Sequence, residues 1–315
     1  MVSVEERVRQ HFTVFDVFYL EDGYEFEVYS DDIKRSFLEL YRGLEPEGYR
    51  PYINSVGSKY VLKVRKEEER RDNGIYQLLL IFASIASVLL DGYYKIGAYS
   101  SYMLAYEAPL LTIIALHESV RRLVSYVKKI RPMKSYAIPG FPGIIPFMGF
   151  ITTNTNRPVN RDELFDETFY PLLASLAGVV LFIYLGYRFE ILTAAGQFSA
   201  LTSLIGVRIS GSVFAAGCAV AATTLFVNML PGSSLDGGLL ISSMKKYSLL
   251  YDLLSVIIMS FLGYFVLALI VIFMQRAAYG TDVLDRVSPL STNRKVAYLI
   301  LLIVAFALFI TFGAV

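Results

Sequence analysis

Two short segments of this chain carry side chains that could do metal chemistry. The first contains His117 and Glu118, and the second contains Asn228 and Asp236. Imidazole nitrogens and carboxylates bind zinc, a glutamate can act as general base for a zinc-bound water, and an amide can stabilise an oxyanion. Each residue also has a simpler interpretation: His117 could mark a helix end, Asp236 could cap a helix, and Asn228 could bond to free backbone groups. Both segments are very apolar, and polar side chains are costly there, so their occurrence together favours a functional site.

Arg121 stands one helical turn after His117, where an HExxH zinc motif has its second histidine. A guanidinium is always protonated and cannot bind zinc. The only other histidine, His11, lies in a polar segment near the start of the chain. Residues 117 and 121 share a helix face, so if His117 points at Asp236, Arg121 points there too. On that condition we predict that the guanidinium occupies the position of a metal ion and pairs with Asp236 or Glu118. The alternative is that Arg121 extends from a helix end to the membrane surface.

The composition is typical of a membrane protein. Of 315 residues, 55% are hydrophobic, and the mean hydropathy is +0.51, which is more apolar than a soluble protein of this size. The net charge of +1 indicates no nucleic-acid partner. The single cysteine, Cys218, excludes an intramolecular disulfide and a CxxC zinc site. The start of the chain has no apolar run, so we expect no cleavable signal peptide.

The apolar segments predict a polytopic α-helical membrane protein with about six transmembrane helices, a small membrane-associated β element and an N-terminal soluble α+β domain. The fourth segment is too long for one regular helix, and Pro231 with Gly232 breaks it. Irregular backbone at membrane depth is tolerated only where it is buried in protein or lines a cavity, so we expect function at this break. The predicted spans are 75–93, 101–125, 168–186, 211–243, 251–274 and 296–315.

Residues 1–73 predict a soluble domain with the order β-β-α-β-β, and residues 74–315 predict the membrane-embedded core. Glu21-Asp22-Gly23 is a turn signal between the first two strands. A helix is predicted over 31–43, with Ser30 or Asp31 as its cap. The predicted strands cover 11–19, 24–29, 51–54 and 59–65.

The basic residues of the short loops predict the orientation. They crowd the segment 121–167 and follow the fourth span, whereas the first outer loop carries only Lys95. By the positive-inside rule, the N-terminal domain and the segment 121–167 lie in the cytoplasm, and the protein is integral to the cell membrane. The loop 275–295 carries four basic residues on the predicted outer side, which argues against this orientation.

Two further segments lie between the predicted spans. Residues 132–167 contain several prolines, and the β-prone part 144–153 is expected to form a short strand or hairpin at the membrane interface. The segment 187–210 is moderately apolar and is expected to lie on the outer surface or to re-enter the membrane.

The two polar segments resemble the motifs of the site-2 protease family of intramembrane zinc metalloproteases. His-Glu at 117–118 opens the first motif, and Asn-x-x-Pro-x-x-x-Leu-Asp-Gly-Gly at 228–238 matches the second. The stretches 156–166 and 288–295 are similar to those before the family's third and last spans, so the resemblance covers nearly all of 75–315. The order of a soluble N-terminal module followed by this core most resembles the archaeal, cyanobacterial and plastid branch of the family.

The resemblance implies roles for these residues. His117 and Asp236 would bind zinc, Glu118 would be the general base, and Asn228 would contact the substrate or the oxyanion. The family's substrates are transmembrane helices, which are cut near the cytoplasmic face after another protease has shortened them. Gly149 and its β-prone neighbours would belong to the sheet that receives the unwound substrate strand.

The chain departs from the family pattern at Arg121 and at Tyr170, which replaces a glycine before proline and would add bulk where helices pack closely. His117 and Asp236 alone are one ligand short of a catalytic zinc site. Three functions follow: a pseudoprotease that binds and retains or escorts transmembrane segments, an active zinc endopeptidase with a substitute ligand, or a transporter that uses the polar residues as a proton relay. The expected partners are the bilayer and a transmembrane helix, and the oligomeric state is left open.

Overall fold

The computed structural model describes residues 3–66, 74–96, 101–128, 130, 132–153, 157–188, 213–244, 249–278 and 283–313. The N-terminal part contains α1 (Val4–His11), β1 (Thr13–Leu20), β2 (Gly23–Tyr29), α2 (Ile33–Leu44), β3 (Tyr49–Val56) and β4 (Lys59–Lys66). The rest contains α3 (Ile75–Ile96), α4 (Ser101–Lys128), β5 (Lys134–Phe141), β6 (Ile145–Thr153), α5 (Arg161–Arg188), α6 (Val213–Asn228), α7 (Asp236–Met244), α8 (Leu249–Phe261), α9 (Phe265–Ala278) and α10 (Thr292–Leu308).

The N-terminal part is an antiparallel sheet with the strand order β1-β2-β4-β3 and two helices. The predicted order lacked α1, and the prediction that a strand begins at His11 is wrong, because His11 ends α1. The Ser3 side chain accepts from the backbone of Glu6, and the Glu6 side chain accepts from the backbone of Ser3. This capping box fixes the start of the helix. The Ser-x-x-Glu pattern was therefore the signal for α1.

Helix α2 packs its apolar face onto this sheet. Its cap is Asp32, not the predicted Ser30 or Asp31, since the Asp32 carboxylate accepts from the backbone of Arg35. Apolar side chains of the helix and the sheet form one buried cluster, which includes Phe26, Phe37, Leu40, Leu44 and Leu62.

The edge strand β3 connects this sheet to later segments of the chain. Ile53 N donates to Leu284 O at 3.0 Å, and Arg286 N donates to Ile53 O at 3.2 Å. Asp285 N in turn donates to Val159 O at 2.8 Å. Val159 and Leu284 are buried members of the same cluster as the sheet core. The hydrophobic core of the N-terminal sheet therefore includes residues from both sides of the boundary predicted at residue 73.

Within the described residues, three helices are long and apolar enough to cross a membrane: α3, α5 over Arg161–Gly186, and the C-terminal helix over Thr292–Phe312. Helix α4, which covers the second predicted span, has 28 residues but carries several charged side chains. Helices α4, α5 and α6 pack against one another. The described chain is thus mainly helical with two small sheets, and its long apolar helices suggest membrane association.

The fourth and fifth predicted spans are each divided. The fourth breaks where Pro231 and Gly232 indicate, between α6 and α7, and Ser233 N in this loop donates to Asp252 Oδ1 at 2.6 Å. The prediction of one continuous helix over 251–274 is wrong. Helix α8 ends at Phe261 and α9 starts at Phe265, because Gly263 between them has φ +81°, a left-handed conformation that favours glycine.

Two sequence expectations concern the segments around α5. The β-prone part 144–153 is strand β6, which pairs with β5 in an antiparallel hairpin. Tyr170, expected to add bulk at a helix contact, is 44% exposed, so only part of its surface contacts other residues. Residues 189–210 of the segment 187–210 lie outside the described residues.

Candidate functional site

The site forms where α4 passes the break between α6 and α7. Helix α4 presents His117 and Arg121 one turn apart, and Asp236 is the first residue of α7. His117 Nε2 lies 2.7 Å from Asp236 Oδ2, and Arg121 Nη2 lies 2.9 Å from Asp236 Oδ1. All three residues are buried, with Arg121 only 2% exposed. The structure thus brings together the two residues that the resemblance implies as zinc ligands and the arginine that departs from the motif.

The carboxylate of Asp236 accepts hydrogen bonds from three side chains. Besides His117 and Arg121, the Thr152 hydroxyl donates to Oδ1 at 3.0 Å. A buried carboxylate is costly unless its charge is balanced and its oxygens are hydrogen-bonded. The Arg121 guanidinium supplies the opposite charge, and the N-terminal end of α7 also favours a negative charge at this position. The charge of Asp236 is therefore balanced by the chain itself, whereas Nε and Nη1 of Arg121 are buried without a hydrogen-bond partner among the described residues.

In this structure His117 and Asp236 are arranged as a hydrogen-bonded pair and not as two ligands of a zinc ion. Zinc lies about 2.0–2.2 Å from nitrogen and oxygen ligands, so two tetrahedral ligands are about 3.3 Å apart. Here His117 Nε2 and Asp236 Oδ2 are 2.7 Å apart, and Nε2 must carry the shared hydrogen, since an ionised carboxylate only accepts. Arg121 Nη2 is also 3.3 Å from His117 Nε2, which puts a permanent cation beside both candidate ligands. In the part of the chain that the structure describes, no three His, Cys, Asp or Glu side chains come together as a metal site.

Glu118 lines a cavity of about 460 Å³ between α3 and α4. Its Oε1 is buried and has no hydrogen-bond partner among the described residues, and His117 Nδ1 lies 3.6 Å from it. Of the two partners predicted for Arg121, the hydrogen-bonded one is therefore Asp236. The aliphatic lining of the cavity consists of Ile81, Ile85, Leu111, Ile114 and Ala115. Glu118 is thus a carboxylate beside a small cavity with mostly aliphatic walls, and Ser119 and Arg122 line the same cavity.

Asn228 connects α6 to β6. Its Oδ1 accepts from Phe150 N at 2.7 Å, and its Nδ2 donates to Thr224 O at 2.8 Å. Gly149, with φ +110°, lies so close to this amide that a Cβ would overlap it. The side chain predicted to contact a substrate therefore bonds to the backbone of the protein itself.

Two residues of β6 complete the site, and the sequence analysis missed both. The Phe150 ring stacks on the His117 ring with centroids 3.6 Å apart and planes 11° apart, and Thr152 bonds to Asp236. The strand is buried along nearly its whole length, so alternation of polar and apolar residues does not show which side chains face the site. The pair Thr152 and Thr153 at the end of an apolar strand was the available signal.

Contacts from other elements occupy both edges of the β5–β6 hairpin. On the β6 side, Thr152 N donates at 2.9 Å to the backbone of the loop between α6 and α7. On the β5 side, Gln77 Nε2 donates to Ser135 O and Ser87 Oγ donates to Gly140 O, each at 3.0 Å. Strand addition requires a free edge. Receipt of a substrate strand at the hairpin would therefore require these contacts to open.

His11 takes no part in the site. It ends α1 in the N-terminal part, where its Nδ1 lies 3.5 Å from Glu39 Oε2 of α2. The second imidazole of the chain therefore adds no ligand next to His117.

No family model, no curated protein and no solved structure matches this chain. A functional interpretation must therefore be built on the geometry of its own residues.

Proposed function

We propose that this chain is a membrane-embedded pseudoprotease with a site-2-protease-like scaffold, which binds transmembrane helices without zinc-dependent peptide hydrolysis. The observation that carries the proposal is the hydrogen bond of Arg121 to Asp236 beside His117. It supports a site whose charge is balanced by an arginine in place of a metal ion. The motif at 228–238 supports the relationship to the protease family.

The absence of hydrolysis follows from what the reaction needs. A zinc protease lowers the pKa of a bound water to about 7 and uses a glutamate to take its proton. In this site Asp236 Oδ1 accepts hydrogen bonds from Arg121 and Thr152, and Asp236 Oδ2 is hydrogen-bonded to His117 Nε2. The Arg121 cation also opposes the approach of a divalent metal. Glu118 then has no activated water to deprotonate.

We place six membrane crossings at α3, α4, α5, the pair α6 and α7, the pair α8 and α9, and α10. The three long apolar helices support three of these crossings. Most residues of α6 are buried in the protein. This supports its placement inside the helical bundle, where polar side chains next to it are kept away from lipid. The N-terminal part lies on the cytoplasmic side of the cell membrane in this topology, following the basic residues after α4.

The cavity between α3 and α4 supports contact with a client helix, because its volume of about 460 Å³ can take side chains of that helix. Lipid tails are as apolar as its aliphatic lining, so apolar contact alone gives little preference for a helix over lipid. The carboxylate of Glu118, which lines the cavity, can supply that preference by accepting a hydrogen bond from a polar or basic side chain of the client.

Reconstitution of the chain with a helical membrane peptide tests for hydrolysis. We expect no cleavage by the native protein, and recovery of cleavage in Arg121→His if that substitution restores the zinc site. Glu118→Gln added to Arg121→His should abolish any recovered activity, because it removes the general base. Cleavage by the native protein that a zinc chelator stops would contradict the proposal.

Site-directed photo-crosslinking tests client binding separately. A photoreactive residue at Ile85, which lines the cavity, should crosslink a membrane peptide that carries a basic side chain. The matched control is Leu79, which lies on the same helix with 57% of its surface exposed. Equal crosslinking at the two positions would show that the peptide has no preference for the cavity, and it would contradict the proposal that the cavity binds the client.

A further inference from the structure

A second buried polar cluster lies between α3 and α4, away from Asp236. It consists of Asp91 and Lys95 on α3 and of Tyr106 and Glu107 on α4. All four residues are buried, with Lys95 the most exposed at 6%. Ionisable side chains inside an apolar helical bundle are costly, and their presence indicates function.

Three members of the cluster bond to one another. The Tyr106 hydroxyl donates to Asp91 Oδ2 at 2.6 Å, and Lys95 Nζ lies 3.1 Å from the same oxygen. Lys95 Nζ also donates to the Tyr106 hydroxyl at 2.9 Å. The ammonium of Lys95 therefore balances the charge of Asp91, and these two groups are neutral together.

Among the described residues, Glu107 is the member of the cluster that has no opposite charge paired with it. It is fully buried, and in the described part of the chain neither of its carboxyl oxygens has a hydrogen-bond partner. Its Oε1 lies against Gly92, the residue after Asp91, so closely that a Cβ at Gly92 would overlap it. The carboxyl group is therefore directed into the cluster, between the turns that carry Asp91 and Lys95.

Counting charges shows what the cluster lacks. With Asp91 and Glu107 ionised and Lys95 charged, the cluster would carry one net negative charge inside the helical bundle. An isolated buried charge of this kind is far too costly to persist, so one more positive charge must be bound. We propose that Glu107 is a proton-binding site, at which the carboxylate takes up one proton from the aqueous phase and becomes a neutral carboxyl group.

The site is connected to the hairpin that contacts His117. Asp91 Oδ1 accepts from Gly143 N at the hairpin turn at 2.6 Å, and the following strand β6 carries Phe150, which stacks on His117. When Glu107 loses its proton, a second negative charge lies near Asp91, and both carboxylates then attract the Lys95 ammonium. Because the hairpin turn is hydrogen-bonded to Asp91, a change in the position of Asp91 should be detectable at this turn.

The groups that face Glu107 come from few elements. Asp91 of α3 and Tyr106 of α4 are the titratable side chains that interact with Glu107, and Lys95 of α3 contacts both of them. The hairpin contributes a backbone N–H at Gly143, which donates to Asp91. The described side chains of α6 that pack on Tyr106 are apolar. Tyr264 is the further titratable group near Tyr106, and its hydroxyl is paired with Thr224 at 3.0 Å.

Infrared spectroscopy of the full chain in lipid nanodiscs tests proton binding directly. A protonated buried carboxyl has a C=O stretching band that a carboxylate lacks. We expect this band to disappear as the pH rises from about 5 to about 9, a range between the ordinary carboxyl and lysine pKa values. Glu107→Gln should remove the band, whereas Asp91→Asn should keep one. No titrating band in the native protein, or a band that Glu107→Gln leaves in place, would overturn the proposal.

A fluorescent reporter at the hairpin tests the coupling and the nature of the ion. The chain has no tryptophan, so Ile144→Trp at the exposed hairpin turn gives a single signal, and Tyr126→Trp at the far end of α4 is the matched control. We expect the Ile144→Trp signal to follow pH identically in sodium, potassium and choline salts, and to lose its pH response when Glu107→Gln is added. A response to sodium or potassium at constant pH, absent in choline, would assign the site to a metal cation and overturn the proton.

Discussion

Arg121 Nη2 lies 2.9 Å from Asp236 Oδ1, and this contact joins the two halves of the motif pair across the break in the fourth predicted span. Asp236 is fully buried and Arg121 nearly so. A buried ion pair of this kind contributes little compared with apolar residues, yet it is very costly to break on one side only. The arginine therefore has a structural consequence, which can be measured apart from any activity.

Removal of this arginine should destabilise the protein strongly. In Arg121→Ala, Asp236 loses its counterion and must either remain an unpaired buried charge or take up a proton, and we expect a loss of about 3–5 kcal/mol. The single cysteine, Cys218, is buried, so the reaction of its thiol with a fluorescent maleimide during heating reports unfolding. Arg122→Ala is the matched control, because Arg122 is exposed on the next position of the same helix. Equal thermal stability of the two variants would show that the ion pair is not needed.

Gly149→Ala should be more destabilising than an equivalent change at an open site. Gly149 has φ +110° and its missing Cβ would overlap the Asn228 amide, so the substitution adds backbone strain and a steric clash. Gly57 has φ +63°, and no atom lies within 4 Å of the position that a Cβ would take there, so Gly57→Ala adds strain alone. We expect Gly149→Ala to lose about 1–3 kcal/mol more than Gly57→Ala, measured by the same thiol reaction. Similar losses would mean that β6 can move away from Asn228.

Leu284→Ala should loosen the N-terminal sheet from the helices. Leu284 is 1% exposed, belongs to the core of that sheet and accepts from Ile53 N. Its truncation leaves a cavity, and we expect a loss of about 2–5 kcal/mol together with faster amide exchange at Ile53. The control Leu299→Ala truncates a side chain of α10 that is 56% exposed, and it should leave exchange at Ile53 unchanged. Unchanged exchange in Leu284→Ala would contradict the shared core.

The position of Arg121 one turn after His117, on the same helix face, could be predicted from helix periodicity, whereas the approach of Asp236 to both residues was implied only by the resemblance of the two motifs to a protease family. The break at Pro231 was predictable for a similar reason, since proline removes a backbone donor and ends the helix locally. Helix α1 was missed although the Ser3 and Glu6 capping box was visible. In each of these cases the signal is contained within a few neighbouring residues.

The remaining features depend on contacts between distant segments. The stacking of Phe150 on His117 requires a particular placement of β6 against α4, and one apolar strand does not encode that placement by itself. The contact between Ile53 and Leu284 joins segments more than two hundred residues apart. The cluster at Glu107 carried a sequence signal, namely charged residues in predicted spans. Only the structure shows that Asp91 is paired there and that Glu107 is not.

The metal content of the purified native protein tests the central claim most directly. Three proteins are compared: the native chain, Arg121→His and the control Arg122→His. Each is equilibrated with zinc and desalted, and its zinc content is then measured by elemental analysis. The account predicts no stoichiometric zinc in the native protein or in Arg122→His, and bound zinc in Arg121→His, where the guanidinium is replaced by a second imidazole. One tightly bound zinc per native chain would contradict it.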